Sequence, residues 1–153
     1  MLVGVELEGF VYYDDNTIVN VYDYLTNNFG NEVLDLTFAK VSTDAGVHQI
    51  EISFKPVDVS KIYPGIFEDM FSEVRKIFPS NWVFYFKGKD PIWRKEVYPP
   101  WSPKKRYFAL IEALRRRNKN SGLGVLRASK YSALQIHFDI LDDRKFALKV
   151  INY

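Results

Sequence analysis

Alternation of apolar and polar side chains near the N-terminus is the feature that most constrains the fold of this chain. In V-G-V-E-L-E-G (3–9), the valines and the leucine fall on one side, and Glu6 and Glu8 fall on the other. A period of two residues is that of a β-strand with one apolar face. Both carboxylates therefore point to the same face, roughly 7 Å apart along the strand. Because like charges this close repel each other unless a cation lies between them, the segment predicts either a solvated strand face or a metal site.

Two later segments repeat this alternation. They are V-H-Q-I-E-I-S-F (47–54) and A-L-Q-I-H-F-D-I (133–140). If the three strands share a sheet, its polar face carries four carboxylates, two amides and an imidazole: Glu6, Glu8, Glu51, Asp139, Gln49, Gln135 and His137. A solvated face of an antiparallel sheet usually includes lysine or arginine, and opposed like charges cost stability. The pattern is compatible with a metal-binding or catalytic face and with a solvated one.

The order of predicted elements indicates an α+β fold. We predict strands at 2–13, 33–41, 47–55, 82–86, 124–129 and 133–141, and helices at about 18–29, 59–77, 104–118 and 142–150. Asp44-Ala45-Gly46 marks a hairpin turn between the second and third strands. A chain of 153 residues fits a single domain. We expect an antiparallel sheet with a carboxylate-bearing concave face and with helices packed on its other face.

Composition excludes several classes of protein and site. The chain has no cysteine, which excludes disulfides and thiolate metal sites, and two histidines are too few for a histidine-rich zinc site. A metal would then be held mainly by oxygen, which favours magnesium or manganese. No segment approaches the ~20 apolar residues of a membrane span, and no basic region followed by an apolar run begins the sequence. We expect a cytoplasmic protein without a membrane partner or a secretory signal.

Charge is distributed unevenly along the chain. Residues 72–130 contain fifteen Lys or Arg and four Asp or Glu, although the whole chain has a net charge of only +2. This asymmetry suggests a polyanionic ligand, such as a nucleotide or a nucleic acid. Basic clusters occur in 104–130, and the aromatic residues Trp93, Tyr98, Trp101 and Tyr107 lie before or among them. Cations can contact a phosphate backbone while aromatic rings stack on bases, so a nucleic-acid-binding protein or a metal-dependent nuclease is an alternative function. The basic residues could equally be the solvated end of a helix.

Four segments occur in an order that is typical of one family. They are G-V-E-L-E (4–8), T-D-A-G-V-H-Q-I-E-I-S-F-K-P (43–56), W-S-P-K-K-R-Y-F-A-L-I-E-A-L (101–114) and S-G-L-G-V-L-R-A-S-K-Y-S-A-L-Q-I-H-F-D-I (121–140). Together they resemble the glutamate–cysteine ligases and the wider carboxylate–amine ligase group, which is related to glutamine synthetase. The segments resemble, in turn, this family's opening strand, its next acidic strand, its Arg-Tyr helix and the hairpin that follows.

This resemblance implies an ATP- and magnesium-dependent ligase. A carboxylate would be phosphorylated by ATP, and an amine would attack the acyl phosphate to form an amide. Glu6, Glu8 and Glu51 would hold Mg²⁺ or Mn²⁺ ions bound to the ATP phosphates. Such ions neutralise the charge that develops on the phosphate oxygens.

The resemblance also implies roles for four residues nearer the C-terminus. Gln135, His137 and Arg127 would contact the nucleotide, and Arg106 and His137 would take part in catalysis. The expected partners are therefore a nucleotide and amino-acid-like small molecules.

Members of this family are typically more than twice as long as the present chain. We therefore expect either a reduced ligase that two chains complete as a homodimer, or a half-domain that keeps the sheet for another use. A homodimer would also cover open sheet edges.

Overall fold

The computed structural model describes residues 1–92, 100–117 and 130–139. These residues form six strands and three α-helices. The strands are β1 (Leu2–Tyr13), β2 (Val33–Asp35), β3 (Ala39–Thr43), β4 (Gln49–Asp58), β5 (Trp82–Tyr85) and β6 (Leu134–Phe138). The helices are α1 (Val21–Phe29), α2 (Ile66–Arg75) and α3 (Lys105–Arg117), with a short 3₁₀ helix at Val59–Lys61. None of the described helices is long and apolar enough to cross a bilayer.

All six strands belong to one antiparallel sheet, which confirms the α+β prediction. The strand order is β2-β3-β4-β1-β5, and β6 also pairs with β1. Strand β1 is therefore central: β4 lies along one edge, while β5 and β6 share the other edge, with β5 at residues 10–13 and β6 at residues 3–7. This arrangement brings both ends of the described chain to the same strand.

The apolar face of the sheet forms the core with two helices. Val5 of β1 lies opposite Phe54 of β4, Ile52 of β4 lies opposite Val41 of β3, and all four are almost fully buried. Leu25 of α1 and Val74 of α2 belong to the same hydrophobic cluster. Fully burying a side chain of this size contributes about 1.5–3 kcal/mol, so alternation in the strands and the 3.6-residue period in the helices together determine which face is covered.

The strand predicted at 33–41 is wrong, because the structure has two strands there. The Leu36 amide donates to the Ala39 carbonyl over 2.8 Å and closes a tight reversal, after which β2 and β3 pair antiparallel. The segment L-T-F (36–38) contains no glycine, proline or asparagine. It therefore has no residue that would have marked the turn.

The helix predicted from Val59 to about Ile77 is also shorter than expected, since α2 begins only at Ile66. Proline disfavours helical backbone at the residue before it, here Tyr63. Gly65 then adopts a φ of +93° at the position preceding the helix, and this left-handed conformation is one that glycine adopts readily. The apolar period continues across these residues, although the helical backbone does not.

The other predictions agree with the structure to within a few residues where it describes the chain. The hairpin at residues 44–48 joins β3 to β4 as expected. Helix α1 begins three residues later than predicted, capped by the Asn20 side chain, which accepts the Asp23 amide over 3.0 Å. The strand predicted at 124–129 and the helix predicted at 142–150 lie outside the described residues.

Candidate active site

Strand register places three of the predicted acids on one face of the sheet. Glu8 lies directly opposite Glu51 across the β1–β4 pair, and Glu6 lies opposite Ser53. On the other side of β1, Gln135 is opposite Glu6. Directly opposed residues of antiparallel strands point to the same face, so four of the predicted site residues form one strip, which we call the acidic strip: Glu6, Glu8, Glu51 and Gln135.

Glu8 is the most firmly held carboxylate of the acidic strip. One oxygen accepts the Ala133 amide over 2.8 Å, and the other accepts the Gln135 side-chain amide over 2.9 Å. Burial, followed by the charge of Asp44, nevertheless raises the pKa of Glu8 above its usual value. The two hydrogen bonds thus fix the carboxylate without fully compensating for its loss of solvent.

Glu6 and Glu51 lie near cationic or titratable partners. His137 Nε2 is 3.6 Å from a Glu6 oxygen, and Arg106 Nη2 is 4.0 Å from a Glu51 oxygen. Burial, followed by the charge of Asp44, raises the pKa of Glu51. The structure therefore brings Arg106 and His137 to the acidic strip from opposite sides. Arg127 lies outside the described residues.

Two site residues, Asp44 and Tyr107, were not identified by sequence reasoning. The Tyr107 hydroxyl donates to Asp44 over 2.5 Å and accepts from Arg106 Nη2 over 2.6 Å. The guanidinium also lies over the Tyr107 ring, 4.7 Å from its centre. In the sequence Asp44 marked only a hairpin turn. Nothing in that pattern indicates that helix α3 returns to this turn.

Gln49 and Asp139, both assigned to the polar face, are not part of the acidic strip. The Gln49 side chain is buried and connects two other segments of the chain. It accepts a hydrogen bond from the Gly46 amide and donates one to the Tyr131 carbonyl. Asp139 follows the end of β6, where its backbone amide donates to Leu2. Gln49 is therefore a structural residue. The alternation places it on the same face as the site residues and could not show this difference.

The metal-binding prediction for Glu6, Glu8 and Glu51 stays a prediction. Within residues 1–92, 100–117 and 130–139, no group of three or more histidine, aspartate or glutamate side chains is arranged to hold a metal ion. Glu6 and Glu8 are turned towards partners on the β6 side, and Glu51 is turned towards Arg106. The backbone places the three residues together, and the side chains diverge from one another.

Two of the aromatic residues considered for base stacking are used for packing. Tyr107 is buried, and Trp101 is partly buried against it, with the ring centres 6.3 Å apart. Tyr107, which also lies under the Arg106 guanidinium, offers no open face for a nucleobase. Trp93 and Tyr98 lie outside the described residues.

No family model matches this chain, and no curated protein matches it. The geometry of its residues, and not similarity to a known protein, therefore supports the candidate site.

Replacing Glu51 with glutamine should stabilise the protein at neutral pH. Glu51 has a raised pKa in the folded state, so the folded protein binds a proton more tightly than the unfolded chain does. The wild type should therefore lose stability as pH rises from about 4.5 through the folded pKa. Glutamine does not ionise, so Glu51→Gln should not lose stability in this way. Urea unfolding at several pH values measures the difference in unfolding free energy between the two proteins. Wild type and variant should converge near pH 4, and a variant less stable than the wild type at pH 7 would contradict the expectation.

Proposed function

We propose that this protein is an ATP- and magnesium-dependent carboxylate–amine ligase that uses the acidic strip to bind a metal–nucleotide complex. The observation that carries the proposal is the register of β1 and β4, which sets Glu8 opposite Glu51 with Glu6 on the same face. Three carboxylates on one face of the sheet, with Arg106 beside them, would offer oxygen ligands to a cation and a positive charge to an anionic substrate once their side chains turn towards it. A cytoplasmic location, where ATP is available, belongs to the same proposal.

The chemistry of the donor set fits magnesium or manganese. Carboxylate oxygens are the ligands that these ions prefer. Each oxygen of Glu8 accepts a hydrogen bond and carries about two lone pairs. Burial and the charge of Asp44 disfavour the ionised forms of Glu8 and Glu51. A divalent cation would favour the ionised forms, which explains why a sheet would keep acids in a position that otherwise costs stability.

Glu6, Glu8 and Glu51 would hold the ion, which when bound neutralises charge on the phosphate oxygens during phosphoryl transfer. In such a reaction an oxygen of the carboxylate substrate bonds to the γ-phosphorus of ATP, ADP leaves, and the substrate becomes an acyl phosphate. The amine nitrogen then bonds to the acyl carbon, inorganic phosphate leaves, and the nitrogen loses a proton.

The other residues of the site have roles that follow from their contacts. Gln135 holds the Glu8 carboxylate through its hydrogen bond. Arg106 is oriented by Tyr107 and Asp44, so that its charge would stabilise an anionic substrate beside Glu51. His137, 3.6 Å from Glu6, is placed to hold or release a proton at Nε2.

A calorimetric titration with magnesium and a non-hydrolysable ATP analogue tests the proposal. The wild type should bind the analogue only in the presence of magnesium. Glu6→Gln/Glu8→Gln should weaken this binding at least about tenfold, because metal sites commonly lose this much affinity even when only a supporting residue is changed.

A matched double variant controls for the loss of two negative charges. Glu68→Gln/Glu73→Gln alters two exposed acids of helix α2 and should bind as the wild type does. If both double variants bind equally well, or if the wild type does not bind at all, the proposed function is wrong. Where binding is metal-dependent, ADP release with amino-acid acceptors is the measurement that follows.

A further inference from the structure

A cleft of about 610 Å³ lies on the polar face of the sheet, next to the acidic strip. Strands β3 and β4 form its floor, and the beginning of helix α3 forms one wall. The side chains that line it on the sheet are opposed in register, since Lys40 faces Ser53 and Ser42 faces Glu51. Glu51 therefore belongs both to the cleft and to the acidic strip.

Positive charge predominates in this cleft. Its lining contains four cations and two carboxylates: Lys40, Lys104, Lys105, Arg106, Glu32 and Glu51. Arg106 is the only one of these cations that has a carboxylate within 4.0 Å in the described part of the chain, at 3.9 Å from Asp44 and 4.0 Å from Glu51. The carboxylates of Glu51, Glu32 and Asp44 act on Lys104 from beyond contact distance, and the lining of the cleft keeps a net positive charge.

Among the cations of the cleft, Lys104 is the one that most strongly indicates an anionic ligand. Its side chain is 5% exposed, and its ammonium group donates to the Thr43 carbonyl. No carboxylate of the described residues forms an ion pair with it, although lysine is almost never fully buried unless it is paired. A buried ammonium group without an anion in contact is costly, and Glu51, Glu32 and Asp44 offset this cost only in part, since the pKa of Lys104 stays below its usual value. The protein keeps one at the wall of a cleft.

The start of helix α3 adds to the positive potential. The first backbone N–H groups of a helix have no partner within the helix, and its N-terminal end carries a partial positive charge. Helix α3 has 13 residues and begins at Lys105, which lines the cleft. Hydroxyl groups of Ser42 and Ser53 on the floor supply additional donors.

We infer that this cleft binds a small anion carrying at least two negative charges, with Lys104 and Arg106 as its principal partners. The anionic groups would be phosphate or carboxylate, since both accept hydrogen bonds from ammonium and guanidinium groups in the same way. The cleft is large enough for a molecule bigger than inorganic phosphate. The inference does not depend on the proposed function, because it requires neither a metal nor a nucleotide.

The pKa of Lys104 agrees with this inference. Burial, followed by the nearby charge of Arg106, lowers the pKa of Lys104 below its usual value, and the charges of Glu51, Glu32 and Asp44 offset this only in part. A bound dianion would favour the charged ammonium and raise this pKa again. Anion binding should therefore be accompanied by proton uptake at alkaline pH.

The inference is tested by titrating the protein with inorganic phosphate and with glutarate, in separate experiments at constant ionic strength and without magnesium. At least one probe should bind saturably and raise the melting temperature, and the stronger of the two identifies the anionic group. Lys104→Met should weaken this binding at least about tenfold, since a charge-assisted hydrogen bond is lost. Lys61→Met, which removes an exposed lysine outside the cleft, should bind as the wild type does.

A second readout separates a ligand-binding lysine from a structural one. Without anion, Lys104→Met should be at least as stable as the wild type, because it removes a buried ammonium group whose burial the nearby carboxylates offset only in part. A clearly less stable variant would overturn the inference, as would equal affinity in wild type and Lys104→Met, or a response to both probes no greater than the response to chloride. Lys40→Met, at an exposed position of the cleft, should weaken binding severalfold and provides an independent test.

The proposed ligase function and this anion site can fail separately. Glu6→Gln/Glu8→Gln alters the acidic strip and leaves the four cations in place, so it should bind phosphate or glutarate like the wild type. Loss of anion binding in that variant would contradict the assignment of the anion to the cleft.

Discussion

Replacing Asp90 with alanine should destabilise the protein by about 2–6 kcal/mol, since it leaves two buried polar groups without a partner, each at a cost of about 1–3 kcal/mol. One oxygen of Asp90 accepts the Tyr12 hydroxyl over 2.6 Å and lies 3.1 Å from His48 Nε2. The other oxygen accepts the Ile92 amide over 3.0 Å. His48 and Tyr12 are almost fully buried, so alanine would leave both polar groups without a partner and without water. The free energy of unfolding in urea measures the loss.

Two milder variants serve as controls. Tyr12→Phe removes only one hydrogen bond and should cost about 1 kcal/mol, and Asp90→Asn keeps an acceptor and should cost about 1–2 kcal/mol. This ranking follows from the number of buried groups left unpaired. If Asp90→Ala were no less stable than Tyr12→Phe, the cluster would not contribute to stability as described.

The contribution of Asp90 should also depend on pH. Burial alone would raise the pKa of Asp90, but hydrogen bonds from His48, Tyr12 and the Ile92 amide outweigh it, and the pKa lies below its usual value. The stabilisation is therefore complete above the unfolded pKa of about 3.9 and is lost as pH falls through the lower folded value. The difference in unfolding free energy between wild type and Asp90→Asn should therefore become smaller as the pH falls over that range.

Replacing Arg75 with methionine should cost about 2–4 kcal/mol, since hydrogen bonds to a charged group each contribute about 1.5–3 kcal/mol when they are shielded from water. The guanidinium donates to four carbonyls between helix α2 and strand β5, over 3.0–3.1 Å: those of Phe78, Pro79, Ser80 and Trp82. It also lies over the Phe84 ring at 5.1 Å. Arg75 thus stabilises the turn that connects helix α2 to strand β5. Urea unfolding measures the change.

Arg116→Met is the matched control, because Arg116 is exposed on helix α3 and its one ion pair within the described part of the chain is with Glu112, at 3.1 Å. An exposed pair at this helical spacing contributes about 0.3–0.5 kcal/mol. Arg75→Lys should behave much more like Arg75→Met than like the wild type, since an ammonium group cannot reproduce the planar set of donors. Equal stabilities of Arg75→Met and Arg116→Met would show that the four carbonyl contacts are not needed.

Sequence reasoning was accurate where a single periodicity decides the outcome. Alternation along β1 and β4 places Glu6, Glu8 and Glu51 on the polar face, because a strand of fixed period has no other way to bury its apolar residues. The same reasoning failed at residues 36–38, where the reversal between β2 and β3 has no turn residues to mark it. It also could not show that Gln49, on the same face by alternation, is buried and structural.

The sequence by itself determined the α+β class, the acidic face and the absence of thiolate chemistry, since these follow from local period and composition. Only the tertiary structure decided that Glu8 lies opposite Glu51, that Asp44 and Tyr107 orient Arg106, and that a buried Lys104 lines a cleft beside them. Asp44 and Tyr107 are 63 residues apart in the chain. Contacts over such distances depend on strand register and on the return of a helix to the sheet, and no local pattern encodes either.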